Sequence, residues 1–152
     1  MSRTVLTPYR GVTTVLSTEM NALAASTGKA ISAAIDNYVP NPSAYLDLFA
    51  DLELAVDFVS APTAGTVIEL YLLPSIDDTV YPDGSTSVLP QSSLYVGGFA
   101  VRNVTTAQVM VLRGVPLPPG YYKYLVQNTT NQPFPATGST LRQNTYALMT
   151  WD

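Results

Sequence analysis

The feature that most constrains the fold is an alternation of apolar and polar residues between positions 46 and 58. Every even-numbered residue in this range is leucine, alanine, valine or phenylalanine, and the odd-numbered positions include Asp47, Asp51, Glu53 and Asp57. Successive side chains of a β-strand point to opposite faces of a sheet, so a period of two is typical of a strand with one buried face. The segment therefore predicts a strand with one face in a core and an acidic face in water.

Turn residues divide the rest of the chain into further strands. Residues 61–65 (APTAG) form a predicted turn, Gly97-Gly98 a bulge or a close approach, and residues 116–120 (PLPPG) a rigid turn. The remaining predicted strands cover residues 66–73, 94–103, 108–113, 121–127 and about 143–151, with a long loop at 74–92. Seven or so strands without intervening helices predict an all-β fold of antiparallel sheets packed as a β-sandwich.

The first part of the chain has a different character. Of the 12 prolines, all except Pro8 lie at or beyond Pro40. Ser17 or Thr18 can cap a short helix that carries Met20, Leu23 and Ala24 on one face, and Gly28 would stop or bend it. Residues 30–36 fit either a helix or a strand. We therefore predict an N-terminal arm with a short helix at 1–42 and a β-sandwich domain at 43–152.

Composition excludes several classes of function. The 152 residues fit one domain and include no cysteine and no histidine, which removes the usual zinc ligands, thiol nucleophiles and imidazole bases. The net charge of −4 disfavours nucleic-acid binding, which needs a basic surface. No apolar run reaches the ~18 residues of a membrane helix, and the first 18 residues show no targeting signal. We expect neither a nucleic-acid nor a membrane partner.

The acidic strand face is the first candidate for chemistry. Asp51 and Glu53 would lie ~7 Å apart, which is within the spacing of the carboxyl pair in inverting glycosidases. A polar face that meets water, or an arginine on an assembly partner, explains the carboxylates better.

The other candidates also have ordinary structural explanations. Asp77, Asp78 and Asp83 do not have the spacing of an EF-hand and suit turns. Residues 26–29 (STGK) resemble a phosphate loop superficially, but Leu23 and Ala30 stand at required positions. Tyrosines such as Tyr122 and Tyr124 suit sheet packing, an interface or a sugar platform. We expect no catalytic residue, metal site or cofactor, and hence no enzyme.

Several segments resemble a family of small structural proteins of tailed bacteriophages, and we place the chain among capsid decoration (cement) proteins. The similarity covers most of the chain from Thr18 onward. It is carried by residues 18–24 (TEMNALA), 49–54 (FADLEL), 61–75 (APTAGTVIELYLLPS), 101–102 (VR), 112–120 (LRGVPLPPG) and 126–130 (VQNTT). The resemblance implies a jelly-roll-like β-sandwich and a structural role without an active site.

The resemblance also implies a location and partners. A cement protein binds the capsid exterior of a virion assembled in the host cytoplasm, where it bridges and stabilises neighbouring copies of the major capsid protein. A homo-oligomer, either a trimer or a dimer, is implied. The apolar residues of the arm must be covered by something, and we expect them to bind a partner. These residues are Val5, Leu6, Val12, Val15 and Leu16.

A second interpretation uses the same sandwich differently. The chain would be a tail-fibre or receptor-binding module of a virion that recognises a glycan, with the tyrosines and the 74–92 loop as its contact surface. The number of copies per particle would separate the two interpretations, because a lattice protein is far more abundant than a tail module.

Overall fold

Two antiparallel β-sheets face each other in the computed structural model, which describes residues 3–6, 11–37 and 46–151. In chain order, the strands of these ranges are β1 (Arg3–Leu6), β2 (Val12–Leu16), β3 (Lys29–Ile31), β4 (Ile35–Asn37), β5 (Phe49–Val56), β6 (Val67–Ser75), β7 (Tyr95–Ala100), β8 (Gln108–Pro116), β9 (Gly120–Asn128), β10 (Thr140–Tyr146) and β11 (Leu148–Trp151). Single 3-10 turns lie at Thr18–Met20 and Ser92–Leu94. No helix in the described ranges is long and apolar enough to cross a membrane.

Strand order shows how the sandwich is built. One sheet has the order β2-β10-β5-β8, and the other has the order β3-β9-β6-β7, with β4 also paired to β9. Strands β1 and β11 form a separate two-stranded ribbon. Neighbours in each sheet are antiparallel, and apart from the consecutive strands β6 and β7 they are not consecutive in the chain, as in a jelly roll. The predicted all-β, jelly-roll-like β-sandwich is confirmed.

Strand β5 shows why the two sheets pack together. Ala50, Leu52 and Leu54 point inward and are fully buried. They share one apolar core with inward residues of the other strands, among them Ile68, Leu70, Phe99, Val126 and Leu141. The alternation predicted from the sequence is therefore confirmed for β5. The two sheets pack together because burial of apolar surface is the dominant favourable contribution to folding.

The predicted order of buried and exposed side chains is wrong at the N-terminal end of this segment. Asp47 was expected on the water-facing side, but it is buried, while Leu48 is exposed. Strand β5 begins only at Phe49, so Asp47 and Leu48 precede the pleat that sets the inside and outside positions. The Asp47 carboxylate is held in place because the Thr145 hydroxyl donates a hydrogen bond of 2.7 Å to its Oδ2.

The predicted N-terminal arm is also wrong for the residues that the structure describes. Strand β2 pairs with β10, and β3 and β4 both pair with β9, so residues 12–37 contribute strands to both sheets of the sandwich. The ambiguity at residues 30–36 is resolved in favour of strands. The remaining residues of the predicted arm, 1–2, 7–10 and 38–42, lie outside the described ranges.

The short helix of the arm is replaced by a single 3-10 turn at Thr18–Met20. Ala22 and Ser26 have φ angles of 52° and 64°, in the left-handed region that ends an α-helix. The Ala22 amide donates to the Pro135 carbonyl at 2.8 Å, so the backbone bonds to a distant loop rather than within a helix. Met20 and Leu23 are buried in the sandwich core. Tertiary packing has overridden the local helical pattern.

The glycine pair 97–98 marks a close approach, as predicted. A Cβ atom built on Gly97 would lie 2.9 Å from Leu112 Cδ1 of the facing sheet, so a side chain at this position would require Leu112 to shift. The register of β7 against β6 also shifts at this point, between Leu70 and Tyr71. Both predicted properties, bulge and close approach, are therefore confirmed.

Two tyrosines of β9 place hydroxyl groups inside the sandwich. Tyr122 and Tyr124 are buried side by side, with ring centroids 5.3 Å apart, as the predicted face of this strand requires. Both hydroxyls donate hydrogen bonds of 3.2 Å to Oε1 of the buried Gln143. Burial is the largest cause that raises the pKa of Tyr122 to about 12, and burial likewise raises the pKa of Tyr124.

These raised pKa values predict a loss of stability in alkali. The folded state holds the phenolic proton more tightly than the unfolded chain, so the contribution is fully present below a pH of about 10 and is lost between about pH 10 and pH 12. In urea unfolding, Tyr122→Phe should cost about 1 kcal/mol at neutral pH, because it loses one hydrogen bond, and should lose less stability in alkali than the wild type.

Tyr121→Phe is the matched control for this measurement, since Tyr121 lies on the opposite face of β9. The alkaline loss of stability in the Tyr122→Phe variant should be smaller than in this control. An equal loss in the Tyr122→Phe variant would contradict the assignment of the titration to the buried pair.

Candidate functional site

A shallow groove crosses the outer face of the four-stranded sheet. Its volume is about 200 Å³, and it is open to solvent on the side away from the core. All four strands of this sheet contribute, because outward-pointing residues of neighbouring strands lie side by side. We call it the outer-face groove, and its lining residues are Val12, Asp51, Leu52, Glu53, Val111, Arg113, Arg142, Gln143 and Asn144.

Arg142 and Glu53 form an ion pair across the groove floor. The two residues are direct partners in the register of β10 against β5. The Arg142 Nε atom donates to Glu53 Oε1 at 3.1 Å, and Nη2 contacts the same oxygen. Both side chains stay partly exposed, so the pair adds at most about 1 kcal/mol to stability. Its main effect is to fix the positions of both groups.

Asp51 stabilises a bulge in the neighbouring strand. The register of β8 shifts between Ala50 and Leu52, which places Asp51 opposite Arg113 and Gly114. Gly114 has a φ of +65°, a conformation that glycine adopts without strain. Its amide donates to Asp51 Oδ1 at 2.9 Å, and the Tyr146 hydroxyl lies 3.5 Å from the same oxygen. The carboxylate thus accepts a hydrogen bond from a backbone amide that the bulge would otherwise leave unpaired.

Two polar groups of the groove are left for a ligand. The Asn144 Oδ1 atom is buried, and no donor of the described chain reaches it. Arg113 is exposed, and its guanidinium forms no ion pair with a residue of the described ranges. A buried amide oxygen without a donor costs free energy, so a ligand hydroxyl that donates to it would be favoured.

The groove combines donors, acceptors and apolar surface within one small area. Arg142 and Arg113 present guanidinium donors, while Glu53 and Asp51 present acceptor oxygens. Val12 and Val111 supply apolar surface at opposite sides. Both carboxylates are already engaged by groups of the protein, so the arrangement suits hydrogen-bonded recognition better than proton transfer.

The other acidic candidates form turns. Asp77 Oδ1 accepts hydrogen bonds from the amides of Thr79 at 2.9 Å and Val80 at 3.1 Å. The hydrogen bonds from Thr79 are the largest cause that lowers the pKa of Asp77. Asp78 accepts a hydrogen bond of 2.5 Å from the Tyr81 hydroxyl. Within the described ranges, no three metal-ligating side chains come together.

A second hollow lies where the 74–92 loop meets the turn between β8 and β9. Its volume is about 630 Å³, and proline, isoleucine and valine side chains form most of its wall. Lys123 covers the Tyr81 ring, with its Nζ atom 3.9 Å from the ring centroid. This hollow offers few hydrogen-bonding groups, so it provides much less chemical specificity than the outer-face groove.

The apolar residues predicted to bind a partner do not form one surface. Leu16 is fully buried in the core of its own domain, and Val15 packs against that core. Val12 is 61% exposed and lines the outer-face groove. Val5 and Leu6 belong to β1, whose side chains lie outside the described part of the structure. Of the five, Val12 alone is described as available to a partner or ligand.

The two carboxylates of the groove could be predicted from the sequence, whereas the side chains of Arg113, Arg142 and Asn144 were not predicted as site residues. Asp51 and Glu53 stood out through their alternation, but Arg142 and Glu53 are 89 residues apart in the chain. Only the register of β10 against β5 brings them together. One signal was available just before and at the start of the predicted closing strand, where Arg142 and Asn144 alternate with Leu141 and Gln143.

The role of Asp51 can be tested by mutation. Asp51→Ala should lower the free energy of unfolding by about 1–3 kcal/mol, because the Gly114 amide loses its acceptor. Asp51→Asn keeps an acceptor oxygen and should lose clearly less. Chemical denaturation of the two variants measures the difference. Asp57→Ala is the control, since Asp57 is an exposed carboxylate just beyond the end of β5. Equal losses at positions 51 and 57 would contradict the assigned role.

Comparison with known proteins gives a fold and no family. No protein-family model matches the chain, and no curated protein does. Among solved structures, the chain is similar to the CBM36-1 domain of a multidomain xylanase from the hindgut metagenome of Trinervitermes trinervoides. The TM-score is 0.50 at 8% identity, and the match covers 88% of this chain and 96% of that one. At this identity the likeness supports the sandwich fold alone.

Two other structures are less similar. One is a carbohydrate-binding module CBM36 in complex with calcium and xylotriose, with a TM-score of 0.41, 11% identity, and coverage of 98% of this chain and 99% of that one. The other is CBM35 from Paenibacillus barcinonensis, with a TM-score of 0.36, 11% identity, and coverage of 97% and 98%.

Proposed function

We propose that this chain is a non-catalytic β-sandwich module that binds a glycan in the outer-face groove. The observation that carries the proposal is the set of groups on the groove floor. The buried Asn144 Oδ1, which has no donor among the described residues, lies in the same groove as the Arg142–Glu53 pair and the Arg113 cation, which pairs with no carboxylate of those ranges. The fold likeness to the CBM36-1 domain of a xylanase agrees with a binding module, although it does not transfer any residue.

The chemistry of a sugar fits this surface. Adjacent hydroxyls on a pyranose ring each donate and accept, so they can bond to a carboxylate and to a planar guanidinium or amide at the same time. Asn144 Oδ1 accepts from one hydroxyl, while Arg113 and the free edge of Arg142 donate to others. The apolar side chains of Val12 and Val111 pack against the C–H faces of the ring. The strands hold the backbone of these groups in place, and the Asn144 amide must turn toward the groove so that its buried Oδ1 can meet a ligand hydroxyl.

Open strand surfaces also suit a polymer better than a small isolated ligand. The groove is shallow and lies across all four strands, so a chain of sugars can continue beyond both ends. A small metabolite would need a cleft that encloses most of its surface. We therefore expect recognition of internal residues of a polysaccharide, with weak binding to each single sugar.

Binding should depend on the side chains of Asn144 and Arg113. In isothermal titration calorimetry against a polysaccharide identified by glycan-array screening, Asn144→Ala and Arg113→Ala should each weaken binding about tenfold. Each variant removes a hydrogen bond worth about 1–2 kcal/mol. Arg102→Ala is the matched control, since it removes the same charge from an exposed position outside the groove. Equal loss in the control, or binding unaffected by both groove variants, would contradict the proposal.

Exposed valines on the same face favour a second candidate, which is a structural protein of a phage virion. Val12, Val109 and Val111 are all exposed on the outer side of the four-stranded sheet. Val109 and Val111 lie together on β8, and exposed apolar side chains grouped in this way are typical of a protein contact surface. A decoration protein would place this face against the major capsid protein on the capsid exterior, in agreement with the resemblance described above.

The second candidate predicts abundance in purified particles. A decoration protein should be present in numbers on the order of tens to hundreds of copies per particle, because it follows the symmetry of the capsid lattice. Quantitative mass spectrometry against the major capsid protein measures this ratio. A ratio that corresponds to a few copies would favour a tail module that binds a glycan, and absence from particles would contradict the structural role.

A further inference from the structure

Strand β8 is one of the two edge strands of the four-stranded sheet. In the described part of the chain it pairs with β5 and with no other strand. In an antiparallel edge strand, every second residue directs its N–H and C=O groups away from the partner, so a row of donors and acceptors is left for another strand.

The first half of this edge lacks the features that usually prevent strand pairing. Residues 108–112 (QVMVL) include no charge, no proline and no glycine. The second half has three protective features, namely the charge of Arg113, the bulge at Gly114 and Pro116. At the opposite edge, β2 has five residues against the nine of β8. Within the four-stranded sheet, this unprotected segment thus lies on the longer of the two edge strands.

Side chains on both faces of this segment are incompletely covered. On the outer face, Val109 is 60% exposed and Val111 is 48% exposed. On the inner face, Met110 and Leu112 are only partly buried, although their partners Leu54 and Leu52 in β5 are fully buried. Apolar side chains on both faces of this segment therefore remain partly exposed to solvent. A strand paired to β8 would cover the inner and the outer side chains.

We propose that β8 pairs antiparallel with β8 of a second copy of this chain, about a two-fold axis at Met110. This register places Val109 opposite Val111 of the other copy on the outer face, so four valines form one cluster. Met110 lies opposite its own copy on the inner face, and Gln108 lies opposite Leu112. Every pair in the segment is then uncharged, and the backbone groups of both edges are satisfied.

Other registers are less favourable. Residues directly opposite each other must lie on the same face of a sheet, so the register can shift only in steps of two residues. An axis at Val111 would place Arg113 opposite Val109, and an axis at Arg113 would place the two arginines opposite each other. An axis at Val109 would leave Leu112 without a partner inside the strand. Self-complementarity of residues 108–112 thus favours a second copy over an unrelated strand.

The dimer would join two four-stranded sheets into one continuous sheet of eight strands. Both outer-face grooves would then lie on the same side of that sheet. If the groove binds a polysaccharide as proposed, the two sites could engage one polymer, which raises avidity without a new contact. The interface itself rests on the edge of β8 and does not depend on what the groove binds.

Sedimentation velocity of the full-length chain over a range of concentrations tests the interface. We expect a reversible dimer, and we expect Val109→Lys with Val111→Lys to weaken dimerisation about tenfold or more, because it places like charges opposite each other. Mixing this double variant with a Val109→Glu, Val111→Glu chain should restore the dimer as a heterodimer. Val12→Lys is the control, since it charges an equally exposed valine on the opposite edge strand.

Disulfide trapping tests the register, because the natural chain has no cysteine. Directly opposite residues have Cα atoms about 4.5–5.5 Å apart, which a disulfide can span. A mixture of Val109→Cys and Val111→Cys chains should form disulfide-linked heterodimers faster than either variant alone forms homodimers. A chain that stays monomeric, a dimer that the lysines leave intact, or faster linkage within either single variant would overturn the proposal.

Discussion

Burial of apolar side chains between two facing sheets is the interaction on which the rest of this structure depends. The inward residues of β5, such as Leu52 and Leu54, lie in one cluster with residues of β6, β7, β9 and β10. The chain has no cysteine and therefore no disulfide between the sheets, so this burial must provide most of the favourable free energy of folding. The period-two pattern is therefore both the strongest signal in the sequence and the main physical constraint on the fold.

The same constraint creates the outer face. Once Leu52 and Leu54 point inward, Asp51 and Glu53 must point outward, because strand side chains alternate. The neighbouring strand β10 then sets Arg142 beside Glu53 and Asn144 beside Asp51. A polar surface of mixed charge thus arises at fixed spacing on rigid strands. Such a surface can recognise hydroxyl groups, and this is the basis of the proposed glycan site.

The strands beyond residue 46 could be predicted from the sequence, and the N-terminal strands β2, β3 and β4 could not. Strand β2 contains Thr13 and Thr14 between its valines, so it lacks the regular alternation of the other strands and was predicted as part of an arm. In the structure three of its five residues are exposed. The segment from Met20 to Ala24 has helical spacing, yet Ala22 adopts a left-handed conformation that only the packed loop around Pro135 explains. Local patterns identify an element when its own residues bury one face, and they fail where a distant segment determines the backbone.

Less of the candidate site than of the strands could be predicted from the sequence, because its contacts also depend on distant segments. Asp51 and Glu53 could be placed on one face from β5 alone. Their contacts depend on the register of β10 and on a bulge in β8, which are formed by residues far away in the chain. Likewise, the sequence indicated apolar residues that need a partner, but only the strand order shows that Leu16 is buried while Val109 and Val111 are exposed.

The central claim is that the outer face of the four-stranded sheet is the ligand-binding surface. Titration of the isotopically labelled chain with polysaccharides, followed by amide chemical-shift changes in NMR spectra, tests it most directly. The account predicts that the largest shifts fall on residues of β5, β8 and β10 that line the groove, with the Asn144 side-chain amide among them. Shifts confined to the 74–92 loop, or no shift with any glycan, would contradict it.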